Sequence, residues 1–236
     1  MTTLNAVARR GFSLVELLTV IAVIGVLIAL IIPTVGGIQA NARKTQAKSN
    51  LRQIAIAYSQ YANGGNRPRS INAATIYDWT RVLAQNVDFN QPDIYILGED
   101  PLVEQAGDRV YPQVIATPPA DGTGQWTVHP DFQGFPLSFA VANKLSSQAS
   151  AASTPVAWTR GLSTSGTWND LESANPGVYG NDGGHIAFLS GTVEFFSDVS
   201  AEGGQLIHYT SKNPTGSIKE SLNPGAEGLD SNGKTF

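Results

Sequence analysis

The sequence predicts an α+β protein in which one long N-terminal helix packs on a β-rich C-terminal head. A nearly uncharged apolar run begins at Phe12, and a helical pattern then continues to Gly64. Short β-rich segments between Gly, Pro, Asn and Asp clusters fill the remainder. The chain has 236 residues, 42% hydrophobic and 14% charged, which suits one domain with a hydrophobic core plus an appended segment. We expect the helix over residues 12–62 and the head over residues 63–236.

The first half of the helix has the composition of a membrane span. From Leu14 to Val35 the only charge is Glu16, and a spanning helix needs about 20 apolar residues. We expect a transmembrane segment over about residues 14–35 of the inner (cytoplasmic) membrane. Arg9 and Arg10 would keep the N-terminus cytoplasmic, with the head on the periplasmic or extracellular side. Three alternatives are a secretory signal peptide, a simple signal anchor for another domain and a buried core helix.

Glu16 is the residue that distinguishes these alternatives. A carboxylate in an apolar helix costs about 2.5–3.5 kcal/mol at the bilayer centre and less near the edge, so it is by default functional and needs a partner. The helix N-terminus and a free amine are candidate partners. Cleavage after Gly11 would put the nearest free amine on Phe12, four residues before Glu16 and on the same side of the helix. If Glu16 of one chain paired with the N-terminal amine of another, the pair would fix the axial offset of the two packed helices.

The segment Arg-Gly, then Phe-Ser-Leu-Val-Glu-Leu-Leu and an apolar run, resembles the prepilin cleavage and methylation motif of type IV pilins and type II secretion pseudopilins. The resemblance implies that residues 1–11 are a leader ending at Gly11, removed by a prepilin peptidase that also methylates the new N-terminus at Phe12. It implies that Glu16 acts in assembly with homologous subunits. Pro33 falls where many members have a mid-helix proline. It is either a simple kink near the membrane exit or part of a stretch that extends within a filament.

The second half of the helix is amphipathic. Its apolar residues recur at three- and four-residue steps, namely Leu51, Ile54, Tyr58 and Tyr61. Gly64 and Gly65 are expected to end it. From Arg9 to Arg69 the chain has eight basic residues and one acidic residue, whereas from Ser70 onward it carries a net charge of −11. This asymmetry favours either attraction between a head and a neighbour's stem or simple solubility of the head. The basic cluster is interpreted as a solvated helix face, and no nucleic acid partner is expected.

The head begins with a predicted second helix over residues 71–85, packed through Ile76, Trp79 and Leu83. Strand-like segments follow at 93–97, 109–115, 137–143, 155–162 and 205–210. Large apolar residues at every second position on both sides of Ser190-Gly191 predict a β-hairpin within residues 180–196. This hairpin resembles an element that ends many pseudopilin-like proteins, with Ser190 in place of the usual Asp and Thr192 in place of the usual His. About the last twenty residues are expected to be irregular.

No motif for catalysis or a cofactor is present in the sequence. The three histidines lack metal-ligand spacing, and there is no G-x-S-x-G, GxGxxG or Walker A motif. The chain has no cysteine, which excludes disulfides and thiol chemistry. We therefore expect a protein that is not an enzyme and needs no cofactor.

The turns of the head also contain candidate ligands for a calcium ion. Acidic residues lie in or beside turns at Asp170, Glu172, Asp182, Asp198 and Glu202, and oxygen-rich loops suit Ca²⁺. The resembled major pseudopilins hold calcium in a C-terminal loop, but ordinary solvated turns explain these residues as well.

Two functions follow from these predictions. The first is a filament subunit, and the terminal hairpin and the absence of a cysteine pair favour a type II secretion pseudopilin over a surface pilin. The second is a membrane-tethered carbohydrate- or ligand-binding domain, in which Trp126, Trp158 and Trp168 near loops would contact the ligand. Core packing is the alternative role of these tryptophans.

Overall fold

The structure is a computed structural model that describes the backbone of residues 12–236 and the side chains of residues 12–29 and 41–236. The predicted leader with Gly11, and the side chain of Pro33, lie outside the described residues. The chain divides into two compact units, Met1–Thr45 and Gln46–Phe236. The fold is α+β, with an N-terminal helix and a β-rich C-terminal region, as predicted.

The first helix, α1, spans Leu14–Asn63 and contains 50 residues. Its end agrees with the prediction from the Gly-Gly pair. A Cβ at Gly64 would lie 2.7 Å from the carbonyl oxygen of Gln60, so glycine is the residue that fits directly after the helix. The side chain of Asn63 caps the same turn by donating to the carbonyl of Ser59 at 2.9 Å.

In the first unit, the large apolar residues from Phe12 to Ile28 are exposed to solvent, each to between 48% and 77%. Among the described residues, no helix combines the length and the apolar character needed to cross a membrane.

In the second unit, the remaining part of α1 buries one stripe against the head. The stripe consists of small and large apolar residues, namely Ala47, Leu51, Ile54, Ala55 and Tyr58. The ring of Tyr58 stacks on Trp79 with centroids 5.8 Å apart. The apolar spacing seen in the sequence therefore corresponds to the core-facing stripe.

The second helix, α2, spans Ile76–Val87 and starts later than predicted. Thr75 sets its start, because the Thr75 hydroxyl accepts from the backbone N–H of Asp78 at 3.1 Å. The three residues predicted to pack, Ile76, Trp79 and Leu83, are completely buried. That prediction is confirmed.

The segment after α2 is mostly irregular. It contains a short 3₁₀ helix at Pro92–Tyr95, α3 at Pro101–Gln105, and a two-stranded pair formed by β1 at Ala116–Thr117 and β2 at Thr127–Val128. The predicted strands at 93–97 and 109–115 are wrong. Pro92 starts a helical turn instead. The side-chain oxygen of Asn90 accepts from the N–H groups of Ile115 and Ala116, which replaces a strand partner there.

A six-stranded antiparallel sheet forms the centre of the head, in the order β11-β10-β3-β4-β6-β7. Its strands in chain order are β3 at Phe139–Asn143, β4 at Pro155–Thr159, β6 at Gly184–Phe188, β7 at Val193–Phe196, β10 at Glu227–Asp230 and β11 at Gly233–Lys234. The remaining elements are β5 at Val178–Asn181, a 3₁₀ turn at Ala201–Gly203, the pair of β8 at Leu206–Ile207 and β9 at Pro214–Thr215, and α4 at Ile218–Ser221.

The predicted hairpin is confirmed, since β6 and β7 pair from Gly184 with Phe196 to Ala187 with Val193. The prediction of an irregular C-terminus is wrong, because β10 lies inside the sheet beside β3. The segment Glu227–Asp230 has Leu229 as its large apolar residue, so it shows no alternation that a strand search could detect.

A buried ion pair links the loop before α3 to the sheet. The guanidinium of Arg160 and the carboxylate of Asp100 are both fully buried and form two hydrogen bonds, of which Nη1 to Oδ2 is 2.8 Å. Arg160 Nη1 also donates to the carbonyl of Leu137 at 2.8 Å. Asp100 accepts from the N–H of Leu102 at 3.0 Å, which caps α3. The charges are therefore paired and hydrogen-bonded, which burial requires.

Candidate assembly site at the start of the long helix

Two hydrogen bonds to side chains close the first turn of α1. The backbone N–H of Ser13 donates to Glu16 Oε2 at 2.9 Å. The backbone N–H of Val15 donates to Ser13 Oγ at 3.4 Å, and the first helical bond runs from the N–H of Leu17 to the carbonyl of Ser13 at 3.2 Å. Ser13 is thus the N-cap. Glu16, the third helical residue, accepts from the Ser13 N–H as in a capping box, while the Ser13 hydroxyl accepts from the second helical residue, Val15.

The position of Glu16 suits its charge. It is the acidic residue of the first turn, where the positive end of the helix dipole stabilises a carboxylate. The bond to Ser13 uses one of its two oxygens, and a carboxylate can accept about four hydrogen bonds. Glu16 therefore has a local partner and keeps the capacity to accept from a further donor.

Phe12 lies just outside this cap. It precedes the first helical residue by two positions, and its side chain is 77% exposed. The atoms that form the cap belong to Ser13, Val15 and Glu16.

Beyond the cap, the helix presents apolar side chains on all sides up to Ile28. Exposed apolar surface that is this extensive indicates a contact with another protein or with a lipid phase. The predicted mid-helix proline, Pro33, falls within the bounds of α1.

Ser13 is a residue that sequence reasoning did not select. Its signal was available, because Ser-x-x-Glu directly before an apolar run is the sequence pattern of a capping box.

The acidic residues considered for calcium are used in local turns or remain exposed. Asp198 Oδ1 accepts from the N–H and hydroxyl of Ser200 at 2.8 Å and 2.6 Å, and these bonds hold the pKa of the Asp198 carboxyl below its usual value. Within the described parts of the chain, no three His, Asp or Glu side chains come together as possible metal ligands.

The histidines and tryptophans of the head are mainly structural. His185 packs edge-on against Phe195 with ring centroids 5.0 Å apart. Trp158 and Trp168 are 1% and 6% exposed and belong to the core, in agreement with the packing alternative. Trp126 differs from both, since it is only partly buried.

Comparison with known proteins agrees with the site at the start of α1. Residues 7–32 match the family model described as the prokaryotic N-terminal methylation motif. Over 59 residues the chain is 38% identical to the type IV major pilin protein PilA of Myxococcus xanthus (strain DK1622). That match covers 25% of this chain and 27% of the relative, so the chain aligns with about a quarter of the relative's length. No solved structure matches the chain.

The motif and the relative both match a short part of the chain, and both are of one kind. The chain is type IV pilin-like, and the resemblance recognised in its first residues is confirmed.

Proposed function

We propose that this chain is a structural subunit of a type II secretion or type IV pilus-type filament. The observation that carries the proposal is a capped helix whose first turns expose apolar side chains. Its first-turn carboxylate, Glu16, lies within the segment that matches the methylation motif. A structural subunit needs a packing surface rather than a reaction centre, and the role requires no cofactor.

The proposed maturation is cleavage after Gly11 and methylation at Phe12 by a prepilin peptidase. Two observations support it: the matched motif spans both residues, and Phe12 precedes the helix. A bond ahead of a helix can enter a protease site without unfolding helical hydrogen bonds.

Before assembly, we propose, the apolar part of α1 anchors the subunit in the inner membrane. The exposed apolar side chains from Phe12 to Ile28 support this, because they would gain favourable burial in lipid or between neighbouring helices. Arg9 and Arg10 favour a cytoplasmic N-terminus, which puts the head on the opposite side.

In the filament, Glu16 would accept from the N-terminal amine of a neighbouring Phe12. The free lone pairs of the carboxylate support this additional bond, and charge-assisted hydrogen bonds are the strong ones in an apolar environment. Pro33 would allow local extension of the helix, because proline removes one backbone donor. The partners are therefore other pilin-like or pseudopilin subunits.

Within this class, we favour a pseudopilin of a type II secretion-type machine. The hairpin of β6 and β7 and the absence of cysteine from the chain support this assignment. A surface pilus is the alternative assignment within the same class.

The test is the mass of the N-terminal peptide of the protein recovered from its own membranes. We expect a peptide that starts at Phe12 and carries one extra methyl group. A peptide that starts at Met1 would contradict the proposal and would indicate a permanent anchor for the head.

A further inference from the structure

A cleft of about 340 Å³ opens on the second unit between α2 and the segment around β2. Its volume is within the range of small-ligand sites, about 300–1,000 Å³. The lining residues that matter here are Thr75, Asp78, Arg81, Gln125, Trp126 and Gln133. None of them takes part in the capped helix start, so the cleft is separate from the proposed assembly site.

The guanidinium of Arg81 lies on one wall of the cleft, next to the carboxylate of Asp78. The side chain of Arg81 is 9% exposed, and its Nε lies 3.6 Å from Asp78 Oδ1. With its amide oriented to satisfy hydrogen bonding, Gln125 accepts from both Nη groups of Arg81. The guanidinium is therefore fixed in position, and its charge is offset by Asp78. A cleft with balanced charge favours a neutral ligand over an anion.

An aromatic ring forms another part of the cleft. The side chain of Gln85 fixes the backbone around Trp126. The N–H of Trp126 donates to Gln85 Oε1 at 3.2 Å, and Gln85 Nε2 donates to the carbonyl of Gly124 at 3.1 Å. The other three tryptophans are at most 6% exposed. Trp126 is thus the tryptophan whose ring is only partly covered by the core, and it lines the cleft.

We propose that this cleft binds a neutral sugar unit of an oligosaccharide or polysaccharide. A sugar presents hydroxyl groups that need both donors and acceptors, and it presents C–H faces that pack on an aromatic ring. The carboxylate of Asp78 accepts, Arg81 and the amide NH2 group of Gln125 donate, and the amide of Gln133 does both. Trp126 supplies the apolar surface together with an indole N–H. This inference is independent of the proposed filament function, because a filament subunit or a single anchored chain could use the cleft.

The test uses the full-length chain in lauryldimethylamine oxide, a detergent without a sugar head group. The probes are cellohexaose, chitohexaose and maltohexaose, with the anionic hexagalacturonate as a charged comparison. We expect at least one neutral probe to raise the midpoint of thermal unfolding in a saturable manner, because a ligand that binds only the folded state stabilises it. The anionic probe should give no such shift.

Two variants locate the binding site. Trp126→Ala and Gln133→Ala should each weaken binding of the responding probe, by about tenfold for Trp126→Ala. Gln133 is an exposed residue, so its replacement keeps the test valid if Trp126→Ala folds poorly. Gln148→Ala, which alters an exposed glutamine outside the cleft, is the matched control and should bind like the wild type.

The proposal would be overturned if none of the three neutral probes changed the unfolding midpoint. Equal binding by Gln133→Ala, Trp126→Ala and the wild type would also overturn it. Neither result affects the filament proposal, which depends on the mass of the N-terminal peptide.

Discussion

At the scale of single residues, Glu16 has one observed role and one proposed role, which an alanine substitution alone does not separate. Its carboxylate accepts from the N–H of Ser13 at 2.9 Å within the chain, and its charge is proposed to hold the amine of a neighbouring subunit. An alanine removes both the hydrogen bond and the charge. A glutamine at this third helical position preserves the capping hydrogen bond, since Gln serves in capping boxes as Glu does.

We predict that Glu16→Ala and Glu16→Gln are both processed at Phe12 and that both assemble poorly. The measurements are the mass of the N-terminal peptide and the amount of sheared or pelleted filament. Ser13→Ala is the control, because it loses part of the cap, worth about 0.5–2 kcal/mol, but keeps the charge of Glu16. Wild-type assembly by Glu16→Gln would show that capping, rather than charge, explains this residue.

A second residue-scale prediction concerns the buried pair of Arg160 and Asp100. Asp100→Ala leaves a guanidinium buried without its carboxylate, and we expect the free energy of unfolding of the head to fall by about 3–5 kcal/mol. Thermal and denaturant unfolding measure this loss.

Lys234→Ala is the matched control for Asp100→Ala. It breaks an ion pair with Glu227 whose Nζ–Oε1 distance is 2.7 Å, but Lys234 is 56% exposed. Exposed pairs contribute little to stability, so a much smaller change is expected. Equal losses in the two variants would contradict the assigned importance of the buried pair.

At the scale of elements, the sequence predicted those parts whose local pattern agrees with their final surroundings. Ile76, Trp79 and Leu83 recur at helical spacing, and the hairpin of β6 and β7 has a glycine turn between alternating residues. Both were predicted because local and tertiary preferences coincide. The capped start of α1 was recognised for its charge, whereas its hydrogen bonds with Ser13 emerged only from the structure.

The elements that the sequence did not predict depend on a proline-initiated turn or on distant partners. The 93–97 segment is rich in β-forming residues, yet the 3₁₀ turn after Pro92 orients it toward the core instead. Strand β10 lacks alternation and forms because β3 and β11 supply its hydrogen bonds. The cleft beside Trp126 combines residues from α2 and from a loop some fifty positions away, so no sequence window contains it.

Gly228 provides a test of how β10 is held. A Cβ at this position would collide with the hydroxyl of Thr235 and would lie 2.8 Å from Cε1 of Phe236. We expect Gly228→Ala to lower the free energy of unfolding by about 1–3 kcal/mol, since overpacking displaces the final strand. Gly98→Ala is the control, because a Cβ there meets nothing within 4 Å. Similar unfolding midpoints for both variants would contradict this assignment.

At the scale of the whole molecule, charge is distributed unevenly along the chain. Lys48 and Arg52 are exposed on α1 one turn apart, whereas the chain from Ser70 onward carries a net charge of −11. Opposite potentials on two surfaces of identical subunits favour their association. The same asymmetry could serve solubility alone, so the two explanations need a direct test.

We predict that Lys48→Glu with Arg52→Glu reduces filament assembly at low salt, and that the deficit shrinks as ionic strength rises beyond about 0.15 M, where the screening length is about 8 Å. Filament yield across a salt series measures this. Lys212→Glu with Lys219→Glu makes the same change in net charge on exposed positions of the head. An equal deficit from that control would indicate a general charge effect.

The cap at the start of α1 also bears on the order of events during maturation. The residues that form the described cap hydrogen bonds, Ser13, Val15 and Glu16, all lie on the C-terminal side of the predicted cut. We therefore expect removal of the leader to leave these hydrogen bonds in place, and the helical circular dichroism signal of α1 should persist after cleavage. We propose that cleavage acts by exposing the amine of Phe12 for contact with a neighbouring subunit, and not by changing how α1 begins.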